Sequence, residues 1–493
     1  MKTLKIAVLL TAITALLPAL AQEKVGYITP SDTPNQDQQA MISRGYGMFI
    51  HFGINTFSGK EWTDGTLKPE VYHPTHLDTD QWAKTAKQAG MSYVILITKH
   101  HDGFCLWDSP ETTYDVGSSP VKTDVVQSMA KSCKKYGIKL GIYYSLWDRN
   151  WGNGIMRAQR TKLTQEQSDA YVAYMKKQLT ELLTNNGEIC ELWLDGGWVL
   201  PRENWQIEQV YAHVKKLQPH CLVGVNWTIG KVGNPDFHPV RPKDYKKGQP
   251  IRYFPSDFRL GDPTLPEFPD VKLFSGPDGK LYYLPFETTV CLNKHWFWQP
   301  YDKELRSVEK LLPLYERSTA QNNVLILNSP PNRQGLMTER NIKRLKELAQ
   351  ALGAQPGKTI PKNIVESAQA TANSTLKNNA HDFAASHAID GNPNTRWAAS
   401  QKDATLTLQW DKPQTLNFLR LREFAQSKQF AIQAFTVEAK GQEGQPWKTI
   451  HTGTTIGLNQ VIAFPRLTTT AIRIHITQSS SPASLIHIAG GNR

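Results

Sequence analysis

Two acidic residues stand where apolar runs give way to aromatic and histidine residues. Asp195 closes the run Trp193-Leu194-Asp195-Gly196-Gly197-Trp198, and Glu287 sits in LPFETTVCLNKHWFW. Alternation along a strand puts Trp193 and Asp195 on one face and Leu192 and Leu194 on the other, so Asp195 points the same way as an aromatic wall. Taken singly, an Asp before Gly-Gly also caps a turn, and a strand-end Glu is commonly a surface or paired carboxylate. Taken together, two carboxylates ending separate strands among Trp and His are the equipment of glycoside hydrolysis. One attacks or stabilises the anomeric centre; the other protonates the leaving oxygen, its pKa raised by an apolar surround.

Other strand ends carry polar and aromatic residues of the same kind. His51 lies in HFGINTF with Glu61-Trp62 just beyond, Lys99-His100-His101-Asp102-Gly103 follows VILIT, and Tyr143-Tyr144-Ser145 ends a third run. His51, His100 and His101 could hold a metal, which would make a metal-dependent hydrolase. However, neighbouring residues on a regular strand face opposite ways, and no HxxxH or carboxylate-bridged pattern accompanies them. Core or capping histidines are a second reading. The reading preferred here is donation and acceptance to sugar hydroxyls, which neutral imidazole can do, beside aromatic rings suited to sugar CH faces: 14 Trp, 17 Tyr and 17 Phe.

The elements that would position these residues follow a regular rhythm. From Tyr46 to about Gly353, short apolar runs alternate with amphipathic stretches that begin at Asp or Thr and end at Gly. We read the strands as YGMFIHFG, SYVILITKHH, KLGIYYSL, ICELWLDGG, CLVGVNWT, LYYLPFETTV and NVLILN. This is the α/β pattern of a (β/α)8-like TIM barrel, in which loops after the strands carry function. A dinucleotide fold is disfavoured because no glycine-rich phosphate loop follows the first strand. Around Ala354 the rhythm changes; residues 354–363 (AQPGKTIPKN) read as a linker and 364–493 as an all-β sandwich.

The chain has 493 residues, 40% hydrophobic and 20% charged, which is globular and too long for one average domain. Its formal charge of +12 is spread rather than gathered in a patch or tail, which argues against a nucleic-acid partner. Residues 1–21 read as a signal peptide: Lys2 and Lys5, then an apolar stretch broken by Pro18, then Ala19-Leu20-Ala21. The expectation is a catalytic domain over 22–353, exported to the periplasm or outside the cell, with no later segment apolar enough to span a membrane. Five scattered cysteines read as buried small hydrophobes. No motif speaks to oligomeric state.

The strings FIHFGINTFSGKEWTDG, LITKHHDGFCLWDS, LGIYYSLW, ELWLDGGW and NVLILNSPP followed by Gly335 resemble, in order, the α-L-fucosidases of glycoside hydrolase family 29. The resemblance implies a retaining exo-enzyme that removes terminal α-linked L-fucose from fucosylated oligosaccharides or glycoconjugates, with no required cofactor and no metal in the active site. It implies Asp195 as nucleophile and fucose binding by His51, Glu61, Trp62, His100, His101 and Trp193, joined by Tyr143 or Tyr144 and by Trp298. Glu287 is the implied acid/base, with Glu267 as runner-up. Phe286 before that Glu, the WFW that follows, and HFGINTF with EWTDG resemble the subgroup preferring α-1,3/1,4 linkages on branched, Lewis-type glycans. A retaining course expects the two carboxyl groups about 5 to 5.5 Å apart. Fucose itself presents a methyl and three hydroxyls, which Trp, Phe and His together can meet. A non-catalytic fucose-binding protein on a hydrolase barrel is the alternative.

AIDGNPNTRWAAS, LTLQW, PWKTIHTG and AIRIHIT resemble a discoidin-like (coagulation factor type C) module, which implies either sugar binding or packing on the barrel. Asp390 through Thr395 lies where such modules hold a structural Ca2+, and Trp397 reads as core.

Overall fold

A computed structural model describes residues 27–425, 429–441 and 444–493; the expected signal peptide lies outside the described residues. Seven parallel strands form the barrel sheet: β1 (Tyr46–Ile50), β2 (Tyr93–Lys99), β3 (Lys139–Ser145), β4 (Ile189–Asp195), β5 (Leu222–Val225), β6 (Glu287–Cys291) and β7 (Val324–Asn328). Their spatial order is β6-β7-β1-β2-β3-β4-β5. Between the two edges runs the strip 256–260, which closes the ring as an irregular eighth member. Asp257 N–H donates to Val223 O at 2.7 Å on one side, and Arg259 N–H donates to Pro285 O at 2.8 Å on the other. The result is a (β/α)8-like barrel.

The helices form where sequence caps them. Asp78, Asp124 and Thr164 each accept a backbone N–H from the residue three positions on, and Gly137 ends helix Val125–Tyr136 in the left-handed region at φ 63°.

Inward-facing side chains stack in tiers. The lowest tier includes Tyr93, Glu191 and Glu287. Two glycines make it possible, since a Cβ on Gly47 would stand 2.4 Å from the Tyr93 ring and one on Gly141 2.9 Å from Glu191 Cγ. The middle tier is an apolar plug of Phe49, Ile95, Tyr143, Trp193, Phe258, Leu260 and Ile326. The third tier, at the C-terminal ends of the strands, is polar.

From Val365 to Gly491 the chain forms the second domain, an antiparallel β-sandwich. Its 20-residue strands Ala404–Glu423 and Gln460–Ser479 pair with register breaks after Gln409 and Leu416, where bulges bend them. Trp397 is fully buried in its core. The domain packs on the barrel: Glu316 of helix Val308–Thr319 is paired with both Arg420 and Arg422, all buried, and Gly391 abuts Ala320. All five cysteines are buried and free.

Candidate active site

Asp195 ends β4 at the mouth of the barrel. Tyr143 Oη donates to its Oδ2 at 2.8 Å and Asn226 Nδ2 to its Oδ1 at 3.0 Å, so both carboxylate oxygens are held in place. His101 Nε2 stands 3.6 Å from Oδ2. Burial raises the carboxyl pKa to about 6, and the Asn226 and Tyr143 hydrogen bonds hold it from going higher. A carboxylate with that pKa is ionised at neutral pH yet only partly solvated, and so suits attack on an electrophilic carbon.

Histidines and aromatics surround it as the sequence suggested. His51 Nδ1 lies 2.7 Å from Asn328 Oδ1 and His101 Nδ1 2.7 Å from Ser145 Oγ, so each ring is oriented by one nitrogen and presents the other. Burial lowers the pKa of both rings to about 3, and burial likewise holds His100 well below its usual value. All three are therefore neutral and able to donate or accept to hydroxyls. His100 stacks on Tyr143 with centroids 5.6 Å apart. Trp193, stacked on Tyr143 at 5.3 Å, forms the floor, its indole N–H buried without a partner. Trp62, 44% exposed, sets its edge on His101 at the rim. Glu61 Oε2 accepts from the backbone N–H of Trp296 at 3.1 Å, and its Oε1 lies 3.3 Å from His295 Nδ1, so it ties the 295–299 loop over His51. Burial raises its pKa in spite of these partners.

Four expected residues fall elsewhere. Glu287 is the first residue of β6, in the lowest tier. Tyr93 Oη donates to its Oε2 at 3.1 Å, it shares a hydrogen bond with Glu191, and Arg44 pairs with Glu191 beside it. Burial first, then Glu191, holds its proton well above the usual carboxylate range. Glu191 lies four residues below Asp195 on β4, about 13 Å at the rise of a strand, with the Trp193–Tyr143–Phe49 plug between. Glu287 is 1% exposed, and it does not share a hollow with Asp195. The cause is a break at Pro285: Leu281–Tyr283 pairs in a hairpin with Leu273–Ser275, and the barrel strand starts only at Glu287. Tyr144 points outward, bonded to Lys99 Nζ at 2.8 Å and Gln178 Oε1 at 2.7 Å, which leaves Tyr143 as the tyrosine of the site. Trp298 lines a separate cavity of about 150 Å3 with Asn293, Gln299 and Arg340. Trp296 and Phe297 take its place, with centroids 5.1 and 5.3 Å from His51. Glu267 faces solvent beside Arg317, at 3.8 Å.

Two polar residues at the mouth were not singled out from sequence. Asn226, just past β5, holds Asp195, and its Oδ1 accepts the backbone N–H of Asp262 at 3.3 Å. Asp262 follows the 256–260 strip, and its Oδ1 is buried without a partner. Asn226 stands one alternation step above Gly224, and Asp262 one step above Leu260 in a strip too short to be read as a strand from sequence.

Among the described residues, no group of three or more His, Cys, Asp or Glu is arranged to hold a metal ion. In the second domain, Asp390 Oδ1 accepts from Asn392 N at 2.8 Å and Oδ2 from Thr395 Oγ1 at 2.8 Å. The one carboxylate of that loop closes its own turn.

Comparison with known proteins identifies the family. Residues 21–355 match the family described as Alpha-L-fucosidase, and residues 369–489 match the F5/8 type C domain. Alpha-L-fucosidase 1 of Arabidopsis thaliana is 30% identical over 440 residues, covering 87% of this chain and 81% of its own. Among solved structures, SpGH29 aligns over 94% of this chain and 99% of its own at 26% identity and a TM-score of 0.54. A glycoside hydrolase 29 family member from an unknown rumen bacterium aligns over 95% and 78% at 25% identity and a TM-score of 0.52. With the family match covering well over half of its length, this chain belongs to the alpha-L-fucosidase family of glycoside hydrolases.

Proposed function

We propose that the protein is a retaining exo-α-L-fucosidase in which Asp195 attacks C1 of a terminal α-linked fucose and forms a covalent β-fucosyl-enzyme. The observation that carries this reading is the clamping of Asp195 by Tyr143 and Asn226 at the barrel mouth, among three neutral histidines. An ionised carboxylate already held by two donors needs little reorganisation to meet a developing oxocarbenium ion. His51, His100 and His101 bind the fucose hydroxyls, and Trp296, Phe297 and Trp193 supply apolar surface for its methyl and CH faces. The reaction requires no cofactor.

The linkage is α-1,3 or α-1,4 on branched, Lewis-type glycans. Supporting this are the HFGINTF and EWTDG strings and two exposed rings on loops at the mouth, Trp62 at 44% and Tyr301 at 61%, which offer stacking to further sugars. The N-terminal segment directs export. No helix among the described residues is long and apolar enough to cross a membrane.

Asp195→Asn tests the catalytic reading: turnover should fall by at least about 10^3 while fucose still binds in calorimetry. Near-normal turnover would end the assignment. A panel of Lewis-type, 2-linked and aryl fucosides tests the linkage; equal turnover across the panel would remove the preference.

A further inference from the structure

With Glu287 sealed below the plug, the site as read so far lacks the group that must protonate the departing oxygen. We propose that Asp262 is that group, the acid/base partner of Asp195. The inference rests on the retaining reading given above.

Position comes first. The strip 256–260 completes the barrel between β5 and β6, and Asp262 lies just beyond its C-terminal end, where barrel enzymes place function. Direction comes next. Phe258 and Leu260 both belong to the inner plug, whereas Arg259 turns outward to Asp270 at 2.7 Å. Period-two alternation then aims residue 262 inward, one step above Leu260. Gly261 obeys the same alternation, since a Cβ there would strike Pro242 on the outer side.

Asn226 links the two carboxyl-bearing residues. Its Nδ2 donates to Asp195 Oδ1 at 3.0 Å while its Oδ1 accepts from Asp262 N at 3.3 Å, so one amide spaces both. Asp262 Oδ1 is buried with no hydrogen-bond partner. A buried polar atom left unmatched in the free protein is a place for a ligand atom. Burial first, and the Asp195 carboxylate second, holds the Asp262 proton well above the usual carboxylate range, the state a proton donor needs at neutral pH. The other acids are placed differently: Glu61 holds two backbone N–H groups through Oε2 and turns Oε1, buried without a hydrogen bond, toward His295 at 3.3 Å, and Glu267 lies in solvent beside Arg317.

The steps balance. As an Asp195 oxygen bonds to C1, the C1–O bond to the aglycone breaks, its electron pair leaves on oxygen, and that oxygen takes the Asp262 proton. Water then attacks C1, gives its proton to the Asp262 carboxylate, and the C1–Asp195 bond breaks with its electrons returning to Asp195. One water is consumed, fucose and the aglycone alcohol are released, and both acids regain their starting states.

The test uses Asp262→Ala, Asp262→Asn, Glu61→Gln and Asp195→Ala in the full chain, assayed on a Lewis-type oligosaccharide and on 2,4-dinitrophenyl α-L-fucoside. Both Asp262 variants should lose about 10^2 to 10^4 in kcat/KM on the oligosaccharide and far less in kcat/KM on the dinitrophenyl fucoside, whose leaving group needs no proton. Azide should accelerate Asp262→Ala and yield α-fucosyl azide, the configuration set by attack on the β-fucosyl-enzyme. Asp195→Ala with azide should yield the β-anomer. Equal losses of kcat/KM on both substrates for Asp262→Asn, or α-fucosyl azide from Glu61→Gln in place of Asp262→Ala, would overturn the assignment to Asp262. Full activity of Asp195→Ala would instead overturn the underlying retaining reading. Should Asp262→Ala fail to fold, the leaving-group contrast in the isosteric Asp262→Asn decides alone.

Discussion

The two ends of the barrel each hold carboxyl groups, and their surroundings make different things of them. At the upper end, Asp195 is clamped by a phenol and an amide and keeps 8% of its surface open among neutral histidines. At the lower end, Glu191 and Glu287 are closed in with Arg44 and Tyr93 beneath aromatic rings. Both ends are poor in solvent, so burial alone does not mark a catalyst. The difference is that the upper carboxylate retains an approach for a ligand, whereas the lower pair is sealed within the fold beside Arg44 and Tyr93.

The contrast breaks most visibly at Asp195. Asp195→Asn should reduce kcat by at least about 10^3 with its fold intact. Its melting temperature above pH 6 should equal or exceed that of the wild type. Burial sets the folded pKa near 6, above the unfolded value of about 3.9. Ionising this group therefore costs stability as pH rises from about 4 through 6, and the amide escapes that cost. The advantage should vanish below about pH 4, which paired thermal melts across pH would show.

At the lower end the expected damage is to stability. Arg44→Ala leaves Glu191 buried without its cation and should destabilise the barrel by about 3–5 kcal/mol, measured by urea unfolding, with kcat of the remaining folded enzyme near normal. A large kcat defect at full stability would place that cluster in the chemistry.

The pH profile sharpens the same comparison. Attack needs Asp195 ionised, so kcat/KM should fall by about tenfold per unit below its pKa of about 6. The aromatic pair at 296 and 298 is the next smaller effect. Trp296→Ala removes a ring from beside His51 and should raise KM about tenfold, whereas Trp298→Ala should leave it within about twofold. The smallest effect belongs to Glu287→Gln, which keeps a hydrogen-bonding partner for Tyr93 and should hold kcat within about threefold.

How far the sequence could be read follows from where periodicity persists. The apolar runs of β1 through β4 each end in polar or aromatic residues, so His51, His100, His101, Tyr143, Trp193 and Asp195 are legible at one mouth, although β2 breaks register with β3 between Ile97 and Lys99. Glu287 was misplaced because LYYLPF and ETTV look like one apolar run, while Pro285 separates a hairpin strand from a barrel strand. Asp262 escaped notice because the closing strip is only a few residues long and makes irregular bonds, so its Phe258–Leu260 alternation is too brief to announce a strand. Trp296 and Trp298 lie in a loop, where no repeat says which ring turns inward. The choice there is made by Glu61, which fixes the backbone at 296 and 297 from a distant part of the chain.

The most direct measurement is to trap the intermediate with 2-deoxy-2-fluoro-L-fucosyl fluoride and map the labelled peptide by mass spectrometry. One fluorofucosyl group per chain, carried by Asp195, is the expected result. A label on Glu287 or on any other residue would contradict it.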